Sequence, residues 1–208
     1  MDALNNLQNI ISTVPIRNGF SSSDQLLLDA VKGIPMDYLM ICKTPLDAFI
    51  GQALSIATKG KWKQAVADAG FDDVFHLFLV VSFKGRGERY TLEKNETIRF
   101  RKYDGGITNK SEKMKVNLNR QGTDIDTFLN KTKTLMGADF WKYSAFGGLN
   151  CQNFVENCLK ANGYLTPKLR EFIVQDVDGI LKALPAYTQE FADATTGLAG
   201  RFRSLTDT

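Results

Sequence analysis

Apolar and polar positions along the chain fall into three stretches. Residues 3–12 read as a short amphipathic helix that ends near "VPIRNG". "SSSDQLLLDAVKG" places serines before an apolar run and a glycine after it, which is helix punctuation at both ends. "TPLDAFIGQALSIATKG" repeats the pattern, with Thr44 as N-cap, Pro45 at the first helical position and Gly60 as the stop. "KWKQAVADAG" adds one more short helix. The first seventy residues are therefore expected to be mostly helical.

The character changes at Phe71. "DVFHLFLVVSF" is a compact run rich in β-branched and aromatic residues, "KGRG" is a turn, and "ERYTLEKN" alternates like a strand. Together they predict a β-hairpin. "ETIRFRKY" either continues the second strand or begins a third, and "EKMKVNLNR" is a further strand candidate. "DIDTFLNKTKTLMG" reads as a helix with Asp124 or Asp126 near its start. A helix beginning at Cys151 follows, and two more finish the chain, about 167–184 and 187–203, broken at Pro185. This order predicts an α+β fold, a small antiparallel sheet packed with helices. Residues 1–70 would form the N-terminal helical part of one domain, 71–165 its core, and 166–208 a C-terminal helical extension.

Composition narrows the class. With 208 residues, 43% of them hydrophobic and 24% charged, the chain has enough apolar side chains for one domain's core. The net charge of +3 is too small to argue for nucleic acid, so none is expected as a partner. Basic residues between Lys84 and Arg120 are mixed with Asp, Glu and Asn and read as a solvated face. "MDALNNLQNIIS" has neither a basic n-region nor a long apolar h-region, so no signal peptide is expected. The longest apolar stretch, "VFHLFLVVSF", is well short of the ~20 residues that span a bilayer. The Asn-x-Ser/Thr triplets at Asn95, Asn109 and Asn130 read as chance. Three cysteines without a CxxC pair, and a single histidine, are too few ligands for a zinc site; neither metal nor cofactor is expected. Free thiols fit a reducing compartment.

The candidate chemistry starts at "GGLNCQNFVENCLKANG". A thiol with a pKa of about 8.5 is mostly inert at neutral pH. The amide dipoles at a helix N-terminus stabilise a thiolate, and free N–H groups there can hold an oxyanion. Cys151 stands at such a start, behind a pair of glycines. The other reading of Cys151 is a small buried apolar residue, the usual fate of a free cysteine. Cys158, two turns on, and Cys42, within "YLMICK", read as core.

His76 is the single histidine, so any Cys–His pair of this kind uses it as the base. Its orienting partner depends on the hairpin register. A loop from Lys84 to Gly87 sets Glu93 opposite Phe78 and on the face of His76. A loop from Gly85 to Gly87 slips the register by one and brings Glu96 to His76 instead.

A histidine heading a strand ("FHLFLVV"), an acidic residue on the next strand ("YTLEKNETI") and a later "NCQNFV" opening a helix resemble the circularly permuted papain-like branch of the NlpC/P60 superfamily. That branch includes the lecithin–retinol acyltransferase-like proteins and the hydrolase-like proteins of bacteria and large DNA viruses, poxviruses among them. The order His76, Glu93, Cys151 is that of the permuted branch, and "LEKN" looks most like its viral and bacterial members. The resemblance covers about 71–160. It implies a circularly permuted papain-like fold, with Cys151 as nucleophile, His76 as base, Glu93 as the third member, and Asn150 and Gln152 beside the oxyanion. Where the acyltransferase-like group carries a second histidine, this chain has Glu93. Where that group's box has Glu-His, this chain has Gln152 and Asn153. The expected activity is thus a thiol hydrolase acting on an ester or amide of an acyl lipid or peptide. The alternative is a non-catalytic viral binding protein on the same scaffold. Partners implied are an acyl lipid or peptide, a membrane surface or virion proteins, in a cytoplasmic or virion-associated setting.

Overall fold

The computed structural model describes residues 19–45, 75–95, 97–105, 111–118, 122–143 and 149–174. Five strands form one sheet: β1 (Met36–Pro45), β2 (Phe75–Phe83), β3 (Arg89–Lys94), β4 (Ile98–Lys102) and β5 (Glu112–Lys115). Their order is β4-β3-β2-β1-β5, and every pairing is antiparallel. Four helices accompany them among the described residues: α1 (Ser22–Ala30), α2 (Ile125–Met136), α3 (Cys151–Ala161) and α4 (Pro167–Ile173). The mixed α+β class expected from the sequence is what the chain adopts.

β1 is a strand within a stretch expected to be mostly helical. It runs between β2 and β5, and Leu39, Met40, Ile41 and Cys42 are all buried. A strand covered on both faces carries a continuous apolar run rather than an alternation, so periodicity cannot separate it from a buried helix. Thr44 and Pro45 are not the N-cap and first turn of a helix. They end β1, opposite His76 and Phe75. The helices expected over 3–12, the rest of 46–70 and 187–203 lie outside the described residues.

The hairpin has the register of a four-residue loop: Ser82 faces Arg89 and Phe78 faces Glu93. "ETIRFRKY" yields a third strand, β4, rather than a longer β3. β5 lies on the far side of the sheet, against β1. Along β2, Leu77, Leu79, Val81 and Phe83 join the main core with Leu39, Ile41, Leu92 and Phe100. The alternate positions Phe78 and Val80 join Met40 and Cys42 in a second cluster. The stretch read as a solvated basic face is not wholly so, since Lys94 is fully buried and Arg99 nearly so.

The helices start where side chains can cap them. Ser21 caps α1 by accepting from the Asp24 amide, and buried Asp24 in turn accepts from the Phe100 amide at 3.1 Å, tying α1 to β4. Asp124, the first of the two candidates, caps α2. Thr166 caps α4, with Pro167 in its first turn. α4 ends at Ile173, where Val174 adopts extended backbone (ψ 117°), and the rest of the helix expected over 167–184 lies outside the described residues. The β-branched pair there has low helix propensity.

The start of α2 is pinned to the start of β1. The Met36 amide donates to the Thr123 carbonyl at 3.0 Å, and Pro35 bridges Asp124. At Gly122 a Cβ would collide with the carbonyl oxygen of Met36, so only glycine allows the crossing. Gly122→Ala is therefore expected to destabilise the chain by about 1–3 kcal/mol, the usual scale of overpacking. A denaturant midpoint unchanged from wild type would show that the crossing opens without cost.

Candidate active site

α3 forms because Cys151, Phe154, Val155, Cys158 and Leu159 repeat at helical spacing and are all buried. That stripe packs against α2, β2 and β3. Packing in this way delivers the first residue of the helix, Cys151, to the start of β2, where His76 stands.

His76 Nε2 lies 2.9 Å from Glu93 Oε2. The register supplies the reason: Glu93 pairs with Phe78, two residues along β2, so it shares a face with His76. Phe78 stacks on the imidazole, with ring centroids 6.1 Å apart and planes at 25°. The His76 and Glu93 side chains are only 12% and 16% exposed, so their bond is poorly screened. Glu96 lies outside the described residues.

The second ring nitrogen is left for Cys151, whose thiol interacts electrostatically with His76 and with the backbone amides of Leu77 and Gln152. Burial pulls His76 towards neutrality. The hydrogen bond and charge of Cys151, then those of Glu93, outweigh it and push the imidazole up to about 10. Burial likewise raises the Cys151 thiol. The His76 hydrogen bond and charge and the two amides overcome that and bring it below its ordinary value. Both shifts favour a thiolate–imidazolium pair at neutral pH.

Asn150, one of the two residues expected beside an oxyanion, stands directly before Cys151 and caps its helix. Its side-chain oxygen accepts from the amides of Gln152 and Asn153 at 3.0 and 3.1 Å, and its main-chain oxygen from Phe154 at 3.0 Å. It is the N-cap of α3. Gln152 contributes its amide to the cap. The Cys151 amide is not among those that the Asn150 side chain caps. The Leu77 amide escaped the sequence reading, because a main-chain donor leaves no residue-type signature; its only trace is its place directly after the histidine.

Cys42 and Cys158 are fully buried, and burial is the main influence pushing their thiols up, to about 11 and about 12. Iodoacetamide near pH 6.5 should thus label Cys151 well ahead of both, as peptide mass spectrometry would show. Preferential labelling of Cys158 would remove Cys151 as the activated thiol.

Two surface grooves lie elsewhere. One of about 740 Å³ runs along α2 and the end of α3, past Asn130, Leu135 and Lys160. The other, about 490 Å³, flanks α4 at Thr166 and Arg170. Among the described residues no three His, Cys, Asp or Glu side chains gather to hold a metal, and no helix is long and apolar enough to cross a membrane. No family model, no curated protein and no solved structure matches the chain.

Proposed function

We propose that this protein is a cysteine hydrolase that cleaves an ester or amide of an acyl lipid or peptide through a covalent acyl-enzyme. The observation that carries the reading is His76 joined at once to Glu93 and to Cys151. A nucleophile, a base and an orienting carboxylate in that sequence form a catalytic unit.

The Cys151 thiolate attacks the carbonyl carbon, forming a C–S bond and moving the π pair onto oxygen. The Cys151 amide, outside the Asn150 cap, is placed to donate to that oxyanion. Collapse breaks the bond to the leaving oxygen or nitrogen, which takes its proton from the His76 imidazolium. Water then attacks the thioester while His76 accepts a proton. Release of the carboxylic acid product restores thiolate and imidazolium. Glu93 holds the ring and stabilises its charge in both halves. The arrangement supports the circularly permuted papain-like scaffold suggested by the sequence motifs, with the sheet leading and the nucleophile helix following.

The test is an intact-mass measurement with a short-chain thioester. An acyl increment on the Cys151 peptide is expected, lost in His76→Ala. One observation favours a second reading, a non-catalytic binding protein: Cys151 is only 8% exposed and belongs to the main core. Absence of both the adduct and alkylation at Cys151 would establish that reading instead.

A further inference from the structure

Lys43 is a charged side chain that the proposed reaction does not use, and it lies on the strand next to the one that carries His76. On β1 it pairs directly with Leu77, whose amide interacts with the Cys151 thiol. Directly opposite residues of an antiparallel pair share a face, so Lys43 lies on the face of Leu77 and Phe75. Its Nζ sits 4.6 Å from the ring centroid of Phe75 and 5.6 Å from that of Phe172 on α4. Both rings are half-buried against the core. The ammonium is thus held by cation–π contacts on two sides, with 18% of the side chain exposed.

Its carboxylate neighbour is Glu112 on β5, at 3.7 Å and half exposed. An ion pair of that length at the surface is weak and exchangeable. A confined cation with an exchangeable counter-ion, framed by two aromatic rings one strand from His76, has the make-up of an anion subsite with an apolar wall.

Resting on the thiol hydrolase reading, we infer that Lys43, between Phe75 and Phe172, binds an anionic group of the substrate close to the scissile bond. The substrate class is then an acyl compound bearing a carboxylate or phosphate near its reacting carbonyl, with its apolar part against the two rings. Glu112 fills the place in the absence of that anion and leaves when it arrives.

A pair of alkylating agents of similar size tests this on the full chain without a known substrate. Iodoacetate carries the anion and iodoacetamide does not. The rate ratio of iodoacetate to iodoacetamide at Cys151, read by peptide mass spectrometry, contains a His76 contribution common to all variants. Lys43→Met should lower that ratio by about three- to tenfold, the scale of one positive charge roughly 10 Å away in a partly screened site. Glu112→Gln should raise it, because the competing carboxylate is gone. The iodoacetamide rate of each variant is the reference within that variant, so a general change in Cys151 reactivity cancels from the ratio.

A ratio unchanged within about twofold in Lys43→Met would overturn the subsite while leaving the nucleophile reading intact. Should Lys43→Met fail to fold, Glu112→Gln decides alone, and no rise in its ratio overturns the subsite. Failure of either reagent to label Cys151 in wild type would remove the hydrolase reading and the subsite with it. Glycerol phosphate and glutarate, used as protectants against iodoacetamide, then identify the anion. Protection by the first assigns a phosphate and by the second a carboxylate; protection by neither counts against the subsite.

Discussion

Cys151→Ala is expected to reduce hydrolysis of short-chain esters and thioesters by about a thousandfold or more, since members of a catalytic unit act together and one removal forfeits most of the effect. His76→Ala should cost nearly as much. Glu93→Gln keeps an oxygen that accepts from the imidazole at the 2.9 Å position but loses its charge. The loss should be about ten- to a hundredfold, the scale of a hydrogen bond to a charged group at about 1.5–3 kcal/mol. The pH profile adds a sign. His76 gives its proton to the leaving group, so activity falls as pH rises through its raised value of about 10. Glu93 is among the groups that raise it, so Glu93→Gln should move the alkaline limb to lower pH. Because Cys151 is buried, its truncation should cost about 1 kcal/mol of stability, measured in a thermal melt alongside each assay. Activity persisting in Cys151→Ala would end the enzyme reading. A melt collapsing far below wild type would mark Cys151 as a packing residue first.

Where the candidate residues stand along the chain was legible because each leaves a local mark, while their grouping came from the family resemblance. The N-cap and apolar stripe of α3 fixed where Cys151 would sit, and the alternation of "ERYTLEKN" placed Glu93 on one face of a strand. The choice between Glu93 and Glu96 was beyond the residues themselves, since one residue of loop length inverts every side chain. The resemblance favoured Glu93, and the pairing of Phe78 with Glu93 sets that side chain on the face of His76. β1 was illegible for the opposite reason. "YLMIC" is apolar throughout because both faces are covered, and Pro45 after Thr44 copies a helix start. Missing β1 also hid Lys43, whose meaning comes only from its pairing with Leu77. Long-range pairing, such as that of β5 with β1, leaves no mark in either segment alone.

Lys94→Met is expected to stabilise the protein at neutral pH by about 1–2 kcal/mol, against the usual effect of altering a buried residue. Lys94 ends β3, has no exposed surface, and its Nζ donates to the Asp139 carbonyl at 3.1 Å and lies 5.8 Å from the Phe154 ring. Burial pulls the ammonium down from the ordinary 10.5 to about 8, against the opposing charge of Asp139. At ~1.4 kcal/mol per pH unit this gap costs about 3 kcal/mol wherever the side chain is charged in both states. Methionine fills similar space without the charge, and the Asp139 carbonyl then loses a partner worth about 1 kcal/mol. The sign of the pH dependence follows. Between about pH 8 and 10.5 the unfolded chain holds this proton and the folded chain has released it, so the Lys94 contribution makes stability rise with pH there. The advantage of Lys94→Met should therefore be full below pH 8 and shrink as pH approaches 10.5. Melts of both proteins at pH 7 and pH 10 measure it, with about 2–4 °C for each kcal/mol. Alkylation of Cys151 in the variant serves as the control that neighbouring Glu93 has kept its register. A variant less stable than wild type at pH 7, or a difference constant with pH, would mean that the ammonium is held there at no cost, its carbonyl and ring contacts offsetting the loss of water.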